Sequence, residues 1–254
     1  MPTPLTFDVF RKAFITAVDS ARLNWAAVGF LGEDDNVYPF GTDTKVISTV
    51  FECFASPILN DIAHQHGYVV EGSAQTVYPD FTLSQNGTTP RIAIDIKTTY
   101  RDYTASGSVK KFRYTLGSYT SFLREPTKNI RYPYPEYSGH WVIGFLYSRA
   151  DGVPAKVYGR SAATTIKAPY KDVEFFVQEK HKIVGESPGS GNTANIGSFP
   201  TNDIEDLREG RGPFAALGKD LCDEYWRHFS PTASRRTYNT VATFLEWRRS
   251  QQSP

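Results

Sequence analysis

The sequence predicts an α+β fold in which a mixed central β-sheet is flanked by helices. Helical patterns occupy the start of the chain, alternating apolar segments typical of strands fill the middle, and helical patterns return over residues 201–254. No internal repeat and no clear interdomain linker interrupts this order. We therefore expect residues 1–254 to form one domain with a helical C-terminal part, and a chain of 254 residues can bury a substantial core.

A helix and a hairpin are predicted first. Residues 5–18 place apolar side chains at steps of three and four residues, as an amphipathic helix does. Residues 25–40 follow as two short apolar segments around a polar turn at residues 32–36, which is typical of a β-hairpin. The apolar positions of the helix are Phe7, Phe10, Phe14 and Val18.

A second helix is expected from Asp43 towards Gly67. Asp43 is a favoured N-cap residue, and an apolar stripe runs along one side of the helix. At about 100° per residue, Glu52 projects away from that stripe. Pro57 is expected to kink or interrupt the helix. The stripe consists of Val46, Val50, Phe51, Phe54, Ile58 and Ile62.

The middle of the chain is dominated by strand-like segments, and the end by helical ones. A short helix is expected at residues 118–125, and a loop rich in Gly, Ser and Asn at residues 185–198. The strand-like segments are residues 67–71, 80–83, 91–100, 110–116, 140–147 and 173–184, and the late helical patterns lie near residues 202–209, 217–228 and 237–249.

Charge and cysteine content narrow the class of protein. The 28 Lys and Arg residues nearly balance 27 Asp and Glu residues, so the formal net charge of +1 does not by itself predict a nucleic-acid partner. It also does not exclude a basic groove on one face of the protein. Cys53 and Cys222 lack the paired spacing of a zinc site. The N-terminal residues lack a signal peptide's apolar segment, and no segment approaches the roughly eighteen apolar residues of a membrane span. These patterns predict a soluble cytoplasmic protein with no membrane partner.

A hairpin at residues 78–100, YPDFTLSQNGTTPRIAIDIKTTY, carries three ionisable side chains. In its second strand the isoleucines at positions 92, 94 and 96 alternate with polar residues, so Asp95 and Lys97 share the face opposite the isoleucines. If the turn is the four residues 86–89, Asp80 lies directly opposite Asp95. A three-residue turn would instead pair Asp80 with Ile94 and separate the two aspartates.

This hairpin has two interpretations. Two carboxylates beside a lysine are what metal-assisted phosphodiester cleavage requires, because hard oxygen ligands hold Mg²⁺ and an ammonium can stabilise negative charge on the transition state. An Asp and a Lys two positions apart are also common on a solvated strand face. The residues alone leave an active site and a solvated surface equally open.

The motif "PDF…IAIDIKTTY" resembles that of the PD-(D/E)xK nucleases, and the wider sequence is similar to type II restriction endonucleases within that superfamily. The resemblance extends from about residue 25 to about residue 228. Several long stretches carry it in the same order: GTDTKVISTVFE at residues 41–52, TLGSYTSF at 115–122, TKNIRYP at 127–133, HWVIGFLY at 140–147, PYKDVEFFVQEK at 169–180 and GSGNTANIGS at 189–198.

The resemblance implies a restriction-endonuclease-like fold and a set of roles. It implies that Asp80 and Asp95 bind Mg²⁺, that Lys97 is the catalytic lysine, and that Glu52 is an additional acidic residue near the catalytic centre. By itself Glu52 is most simply a solvated helix residue. The family's enzymes act as homodimers on double-stranded DNA, and a DNA methyltransferase is expected to protect the host without being a direct partner.

The resemblance also implies two DNA-recognition loops, near residues 73–79 and 187–198. The second loop would enter the major groove and read bases with Asn192 and Thr193, and the implied target is 5′-GATATC-3′, cut at its central step to blunt ends. In the first loop, Gln75 would lie near the minor groove and the DNA backbone. The other residues of the recognition motif are Gly189, Ser190 and Gly191.

Some positions depart from the family's pattern, and some functions remain open. Residues 74–76 read Ala-Gln-Thr where the family's pattern has Gln-Gln-Asn, and Ala194 replaces a threonine. The contacts of the two loops with DNA are therefore expected to differ in detail from those of the family. A nuclease with another target or a repair role, or an inactive DNA-binding protein, are the alternatives. Basic residues that could contact phosphates, although each reads more simply as a surface charge, are Lys110, Lys111, Arg113, Arg124, Lys128, Arg131, Arg235 and Arg236.

Overall fold

The computed structural model describes residues 5–150, 156–189 and 194–252. Its helices in these residues are α1 (Phe7–Ala21), α2 (Thr44–Gln65), α3 (Lys180–Ile183), α4 (Glu205–Arg208), α5 (Gly218–His228) and α6 (Val241–Gln252). Its strands are β1 (Phe30–Leu31), β2 (Asn36–Tyr38), β3 (Val69–Gly72), β4 (Phe81–Ser84), β5 (Arg91–Tyr100), β6 (Thr115–Ser118), β7 (Tyr137–Arg149), β8 (Tyr158–Gly159), β9 (Tyr170–Glu179), β10 (Val184–Pro188) and β11 (Asn195–Ser198).

The central sheet has five strands in the order β3-β4-β5-β7-β9. The pair β5–β7 is parallel and the other pairs are antiparallel, so the sheet is mixed. Two smaller sheets, β1-β2-β8 and β10-β11-β6, lie outside it. The predicted α+β class with a mixed central sheet and flanking helices is confirmed, as is the hairpin of β1 and β2.

Both faces of the central sheet are covered. One face packs against α1 and α2, where the rings of Phe51 and Phe145 stack with centroids 4.5 Å apart. The other face packs against the C-terminal helices, which contribute Tyr225, Trp226 and Phe244 to a second apolar cluster. Because β5 lies at the centre of the sheet, its residues from Arg91 to Ile96 are all buried. On the polar face predicted for this strand, Asp95 is therefore buried rather than solvated, and Lys97 is partly exposed.

The prediction for α2 is confirmed at its N-cap, but it differs from the structure at Pro57 and in the width of the apolar stripe. The side chain of Asp43 caps the helix by accepting hydrogen bonds from the N–H groups of Lys45 and Val46. Pro57 does not interrupt the helix, which continues from Thr44 to Gln65, because the residues around it pack in the core. The buried stripe is also wider than the predicted one, with Val46, Phe54 and Ile58 only partly buried at its margin. Its fully buried members are Ile47, Val50, Phe51, Ala55, Leu59, Ile62 and Ala63.

The helix predicted at residues 118–125 is wrong. Residues 119–124 and 126–129 form turns instead. A helix cannot begin at residue 118, because β6 pairs with β11 and the N–H of Tyr119 donates to the carbonyl of Ala194. Pro126 disfavours a helical residue before it, and Ser121 Oγ closes the turn on the carbonyl of Lys128.

The region after β9 also differs in detail. The strand predicted at residues 173–184 ends at Glu179, where the short helix α3 begins, and the loop predicted at residues 185–198 contains β10 and β11. The N–H of Gly189 donates to the carbonyl of Asn195 at 2.9 Å, so the two strands approach each other closely at this end. The late helices fall in the predicted region as α4, α5 and α6.

Candidate active site

The register of the β4–β5 hairpin brings the two aspartates together. Phe81 pairs with Ile94 and Thr82 pairs with Ala93. Continuing this pairing by one residue places Asp80 opposite Asp95, as the four-residue turn predicts. The three-residue alternative, which would pair Asp80 with Ile94, is wrong.

Lys97 lies between the two carboxylates. Its Nζ donates a hydrogen bond of 2.7 Å to Asp95 Oδ1 and lies 3.5 Å from Asp80 Oδ2. Asp80 Oδ2 also accepts a hydrogen bond of 2.6 Å from the N–H of Ile96, which fixes the carboxylate against the backbone of β5. Asp95 has only 2% of its surface exposed, whereas the side chains of Lys97 and Asp80 are 21% and 29% exposed. The cluster is therefore buried at Asp95 and open at the other two side chains.

The charges of this cluster perturb one another. Burial raises the pKa of Asp80 to about 7, and the negative charge of Asp95 adds to this effect. Burial alone would lower the pKa of Lys97, but the carboxylates of Asp95 and Asp80 outweigh it and raise that pKa above its usual value. Lys97 is consequently an ammonium in this arrangement, suited to stabilising negative charge rather than to accepting a proton.

Glu52 reaches the same site from α2. Glu52 lines one cleft together with Asp80, Asp95 and Lys97. Burial raises the pKa of the Glu52 carboxyl, while the charge of Lys97 lowers it and that of Asp95 raises it. The sequence predicts that Glu52 projects away from the apolar stripe of α2, and that side of the helix lines the cleft that contains Asp80, Asp95 and Lys97.

The carboxylates fit a divalent metal ion. Asp95 Oδ2 is buried and has no hydrogen-bond partner among the described residues, so it is an unused hard oxygen ligand beside Asp80. Residues 5–150, 156–189 and 194–252 contain no group of three or more His, Cys, Asp and Glu side chains arranged to hold a metal. A site with so few protein ligands suits Mg²⁺, which keeps several positions for water and phosphate oxygens.

The predicted recognition loops border the same cleft. Gln75 is exposed and lines the cleft on one side, and Asn195 lines it on the other. Ser190, Gly191, Asn192 and Thr193 lie outside the described residues. The ends of their loop are placed, since Ser118 Oγ donates to the carbonyl of Ala194 at 3.2 Å and Gly189 precedes the gap.

The structure also identifies cleft residues that sequence reasoning missed. Lys45 at the start of α2, together with Ser118, Asn129 and Asn195, lines the cleft. Lys45 follows the N-cap of α2 and carries a positive charge suited to phosphate. The pattern that could have found it is its spacing of seven residues before Glu52, which is two helical turns and the same helix face.

Several of the basic residues considered for phosphate contact have structural partners. Arg124 donates to the carbonyls of Arg227 and Phe229, and Arg236 donates to the carbonyl of Ser230. Arg131 donates to the carbonyl of Gly72 and to Glu71. Arg113 differs, because it lines a pocket together with Asp80 and Lys97. It also donates to the carbonyl of Pro188, which lies at the start of the predicted second recognition loop.

Comparison with known proteins assigns the chain to a family. A sequence model of the family described as "Restriction endonuclease EcoRV" matches residues 21–249. The curated protein "Type II restriction enzyme EcoRV" of Escherichia coli is 41% identical over 243 residues, which cover 93% of this chain and 96% of that protein. The chain belongs to the EcoRV restriction endonuclease family. It is a type II restriction enzyme, that is, a site-specific deoxyribonuclease whose substrate is DNA.

Membership of the EcoRV family explains the architecture around the cleft. The mixed sheet with flanking helices is the restriction-endonuclease-like fold of this family, whose members generally depend on a divalent metal. By length and composition alone, α2 (Thr44–Gln65) could cross a membrane. Its apolar side chains instead pack against the central sheet, as those of a core helix in a soluble protein do.

Proposed function

We propose that this protein is a Mg²⁺-dependent endonuclease that hydrolyses both strands of duplex DNA at the palindrome 5′-GATATC-3′, leaving blunt ends. The proposed reaction rests on the cluster of Asp80, Asp95 and Lys97 on one hairpin, in which Asp95 Oδ2 has no hydrogen-bond partner among the described residues. Asp80 and Asp95 would hold the metal. Bound Mg²⁺ would supply Lewis-acid stabilisation of the negative charge that develops on the attacked phosphate.

The protein's own residues have distinct parts in this proposal. The ammonium of Lys97 faces the open side of the cluster, where it would stabilise charge on the same phosphate. The N–H of Ile96 holds Asp80 in place through its 2.6 Å hydrogen bond. Glu52, partly buried at the side of the cleft, would orient the water that attacks phosphorus. We also infer that residues 1–254 act as one domain in the cytoplasm.

The target is proposed from the recognition loops. Asn192 and Thr193 would read base edges in the major groove, where an asparagine side chain suits adenine, and Gly189, Ser190 and Gly191 would allow close approach of the backbone. Gln75, exposed on the opposite rim of the cleft, would lie near the minor groove. The central TA step of the proposed site is easily deformed, which favours it as the place of cleavage.

Plasmid cleavage tests the activity and the target together. With Mg²⁺, we expect discrete blunt fragments whose sequenced ends carry ATC at the 5′ side and GAT at the 3′ side. With Ca²⁺, we expect binding without cleavage, because Ca²⁺ prefers a larger and less rigid ligand shell. Discrete fragments with other ends would support a nuclease with another target, whereas binding without cleavage in both metals would indicate an inactive DNA-binding protein.

Replacing Asn192 by alanine is expected to weaken the choice of sequence more than the chemistry. A well-placed bidentate contact to a base contributes about tenfold to a hundredfold discrimination against the wrong base. We therefore expect the ratio of cleavage rates between GATATC and sites with one substituted base pair to fall by that factor. The control is Asn202→Ala, an exposed asparagine outside the cleft. An unchanged ratio in Asn192→Ala would remove Asn192 from base reading.

We further propose that two copies of the chain act together, because a palindrome presents the same site on both strands and each chain carries one catalytic cluster. The small sheet β1-β2-β8 offers a surface for the second copy. Phe30 and Tyr38 pair across β1 and β2, so they lie side by side on one face, and they are 56% and 44% exposed. Val157, next to β8, is 54% exposed. Exposed apolar patches of this kind mark association sites.

Replacing Phe30 by glutamate is expected to convert the dimer to a monomer. Two copies of a new carboxylate would face one another across a symmetric interface, where they repel and lose solvation. Sedimentation should give twice the chain mass for the unmodified protein and the single mass for Phe30→Glu, which should also lose double-strand cleavage. Val69→Glu, at an exposed apolar position on the edge strand β3, should remain dimeric. A monomeric unmodified protein would refute the dimer.

A further inference from the structure

A second pocket lies on the sheet face opposite α1 and α2, between the sheet and the C-terminal helices. Its volume is about 110 Å³, and β7, α3 and α5 contribute much of its lining. Polar groups are concentrated there, although none belongs to the catalytic cluster. The polar side chains that matter here are those of His140, Lys180, Lys219, Asp223 and Trp226. We call this cavity the Lys180 pocket.

Three side chains of the Lys180 pocket carry buried polar atoms that have no hydrogen-bond partner in the described part of the chain. These atoms are Lys180 Nζ, His140 Nε2 and Trp226 Nε1, and the three residues are 7%, 6% and 0% exposed. A buried polar atom without a hydrogen-bond partner is unfavourable, because it has lost its hydrogen bonds to water. Three of them, on β7, α3 and α5 around one cavity, are consistent with an occupant that accepts hydrogen bonds.

The imidazole of His140 can present a donor to the pocket. Its Nδ1 is hydrogen bonded to the hydroxyl of Tyr78 at 2.7 Å. Burial lowers the pKa of His140 well below its usual value, and burial raises the pKa of Tyr78 well above its own, so both groups are neutral. With the Tyr78 hydroxyl as donor to Nδ1, the ring proton of His140 is on Nε2. The pocket then presents an ammonium, an indole N–H and an imidazole N–H.

The carboxylates of the pocket are paired with lysines other than Lys180. Asp223 is neutralised by Lys219, with 2.7 Å between Nζ and Oδ2, and Glu179 is neutralised by Lys182 at 2.7 Å. Among the described residues Lys180 Nζ has no hydrogen-bond or ion-pair partner, and it lies 4.5 Å from the ring centroid of Tyr78 and 5.1 Å from that of Phe122. The carboxylates of Asp95 and Asp223 act on it only from beyond contact distance. Burial lowers the pKa of Lys180 to about 8, so at neutral pH the ammonium is still mostly protonated. This ammonium therefore has no carboxylate in contact with it in the part of the chain that the structure describes.

We propose that the Lys180 pocket binds a small monovalent inorganic anion of the size of a halide, with Lys180 as its counter-ion. Trp226 and His140 donate hydrogen bonds to it, which satisfies the three unpaired atoms at once. Water also fills polar cavities, but it gives the ammonium of Lys180 no charged partner in contact with it. This binding site is separate from the catalytic cluster and goes beyond the proposed cleavage reaction.

The pocket borders the catalytic cleft through one wall. A Cβ atom on Gly117 would lie 3.7 Å from Lys180 Nζ, and Gly117 lines the cleft that contains Asp80 and Asp95. Phe122 lines both cavities. An anion beside Lys180 therefore offsets a positive charge just behind the floor of the cleft.

Thermal unfolding in two sodium salts tests the proposal. At equal ionic strength, bromide fits the pocket and gluconate does not. At a bromide concentration of about one hundred times its Kd, we expect Tm to be about 5–10 °C higher in bromide than in gluconate. Lys180→Met should lose this difference, whereas Lys171→Met, at a side chain that is 67% exposed, should keep it. Equal Tm values for the unmodified protein in both salts would overturn the proposal, as would a difference that Lys180→Met retains.

Crystals grown in bromide give a second measurement that does not depend on whether Lys180→Met folds. Anomalous scattering at the bromine absorption edge should show a peak in the Lys180 pocket, next to Lys180 Nζ and Trp226 Nε1. Density without an anomalous signal at that position would mean that only water fills the cavity, and it would refute the anion site. An anomalous peak at the surface of the protein alone would refute it equally.

Discussion

Replacing Asp95 by asparagine is expected to lower the rate of DNA cleavage by at least about a thousandfold, because it removes an anionic ligand from the proposed metal site and with it the stabilisation of charge on the phosphate. Asp95 is the most buried of the three clustered residues, and its Oδ1 receives the 2.7 Å hydrogen bond of Lys97. The amide in its place cannot neutralise either the metal or Lys97. The rate should be measured in single-turnover cleavage of a duplex carrying the target, which isolates the chemical step from product release.

A second readout separates a lost metal ligand from a damaged fold. The stimulation of DNA binding by Ca²⁺ should disappear in Asp95→Asn, while binding without metal persists. Asp102→Asn, at an exposed aspartate just beyond the end of β5, is the matched control and should cleave at the unmodified rate. Cleavage by Asp95→Asn within tenfold of the unmodified rate would exclude Asp95 from the metal site.

Replacing Lys97 by methionine is expected to lower the cleavage rate by about a hundredfold to a thousandfold, as the loss of one preorganised group that stabilises transition-state charge does. Methionine keeps much of the side chain's length and removes only the ammonium. The carboxylates of Asp80 and Asp95 remain, and they no longer form ion pairs with Nζ. Metal binding should therefore persist or strengthen in this variant.

The two variants are thus expected to differ in one measurement. Lys97→Met should retain the stimulation of DNA binding by Ca²⁺ that Asp95→Asn loses, although both lose cleavage. Lys12→Met, at an exposed lysine of α1, is the control for removal of a positive charge. If Lys97→Met lost Ca²⁺-stimulated binding as well, Lys97 would be needed for building the site rather than for the chemical step.

The parts of the fold that could be predicted from sequence are those that local chemistry decides. The N-cap at Asp43 depends on a side chain and the backbone two and three residues later. The opposition of Asp80 and Asp95 depends on the turn between them, which the alternation of β5 and the turn residues together constrain. Both follow from interactions within about twenty residues, so the sequence contains what is needed to predict them.

The parts that sequence reasoning missed depend on distant partners. The burial of Asp95 follows from the parallel pairing of β5 with β7, in which Asp95 lies beside Val142. The turns in place of a helix after β6 follow from pairing with β11, more than seventy residues away. Lys180, within the charged stretch QEKHK, reads as a surface residue until the structure places it under Tyr78. No local pattern reports these contacts.

The small sheet β10-β11-β6 has a consequence for changing the target of this enzyme. The chain enters and leaves the proposed second recognition loop at Gly189 and Asn195, which are joined by a hydrogen bond at the ends of β10 and β11. These strands lie outside the five-stranded sheet that bears the proposed catalytic hairpin. A replacement segment has to join only Gly189 and Asn195, and loops tolerate changes of length and composition better than strands do. We therefore expect that a segment from a relative can replace the proposed loop between Gly189 and Asn195 while the β4–β5 hairpin keeps its own register.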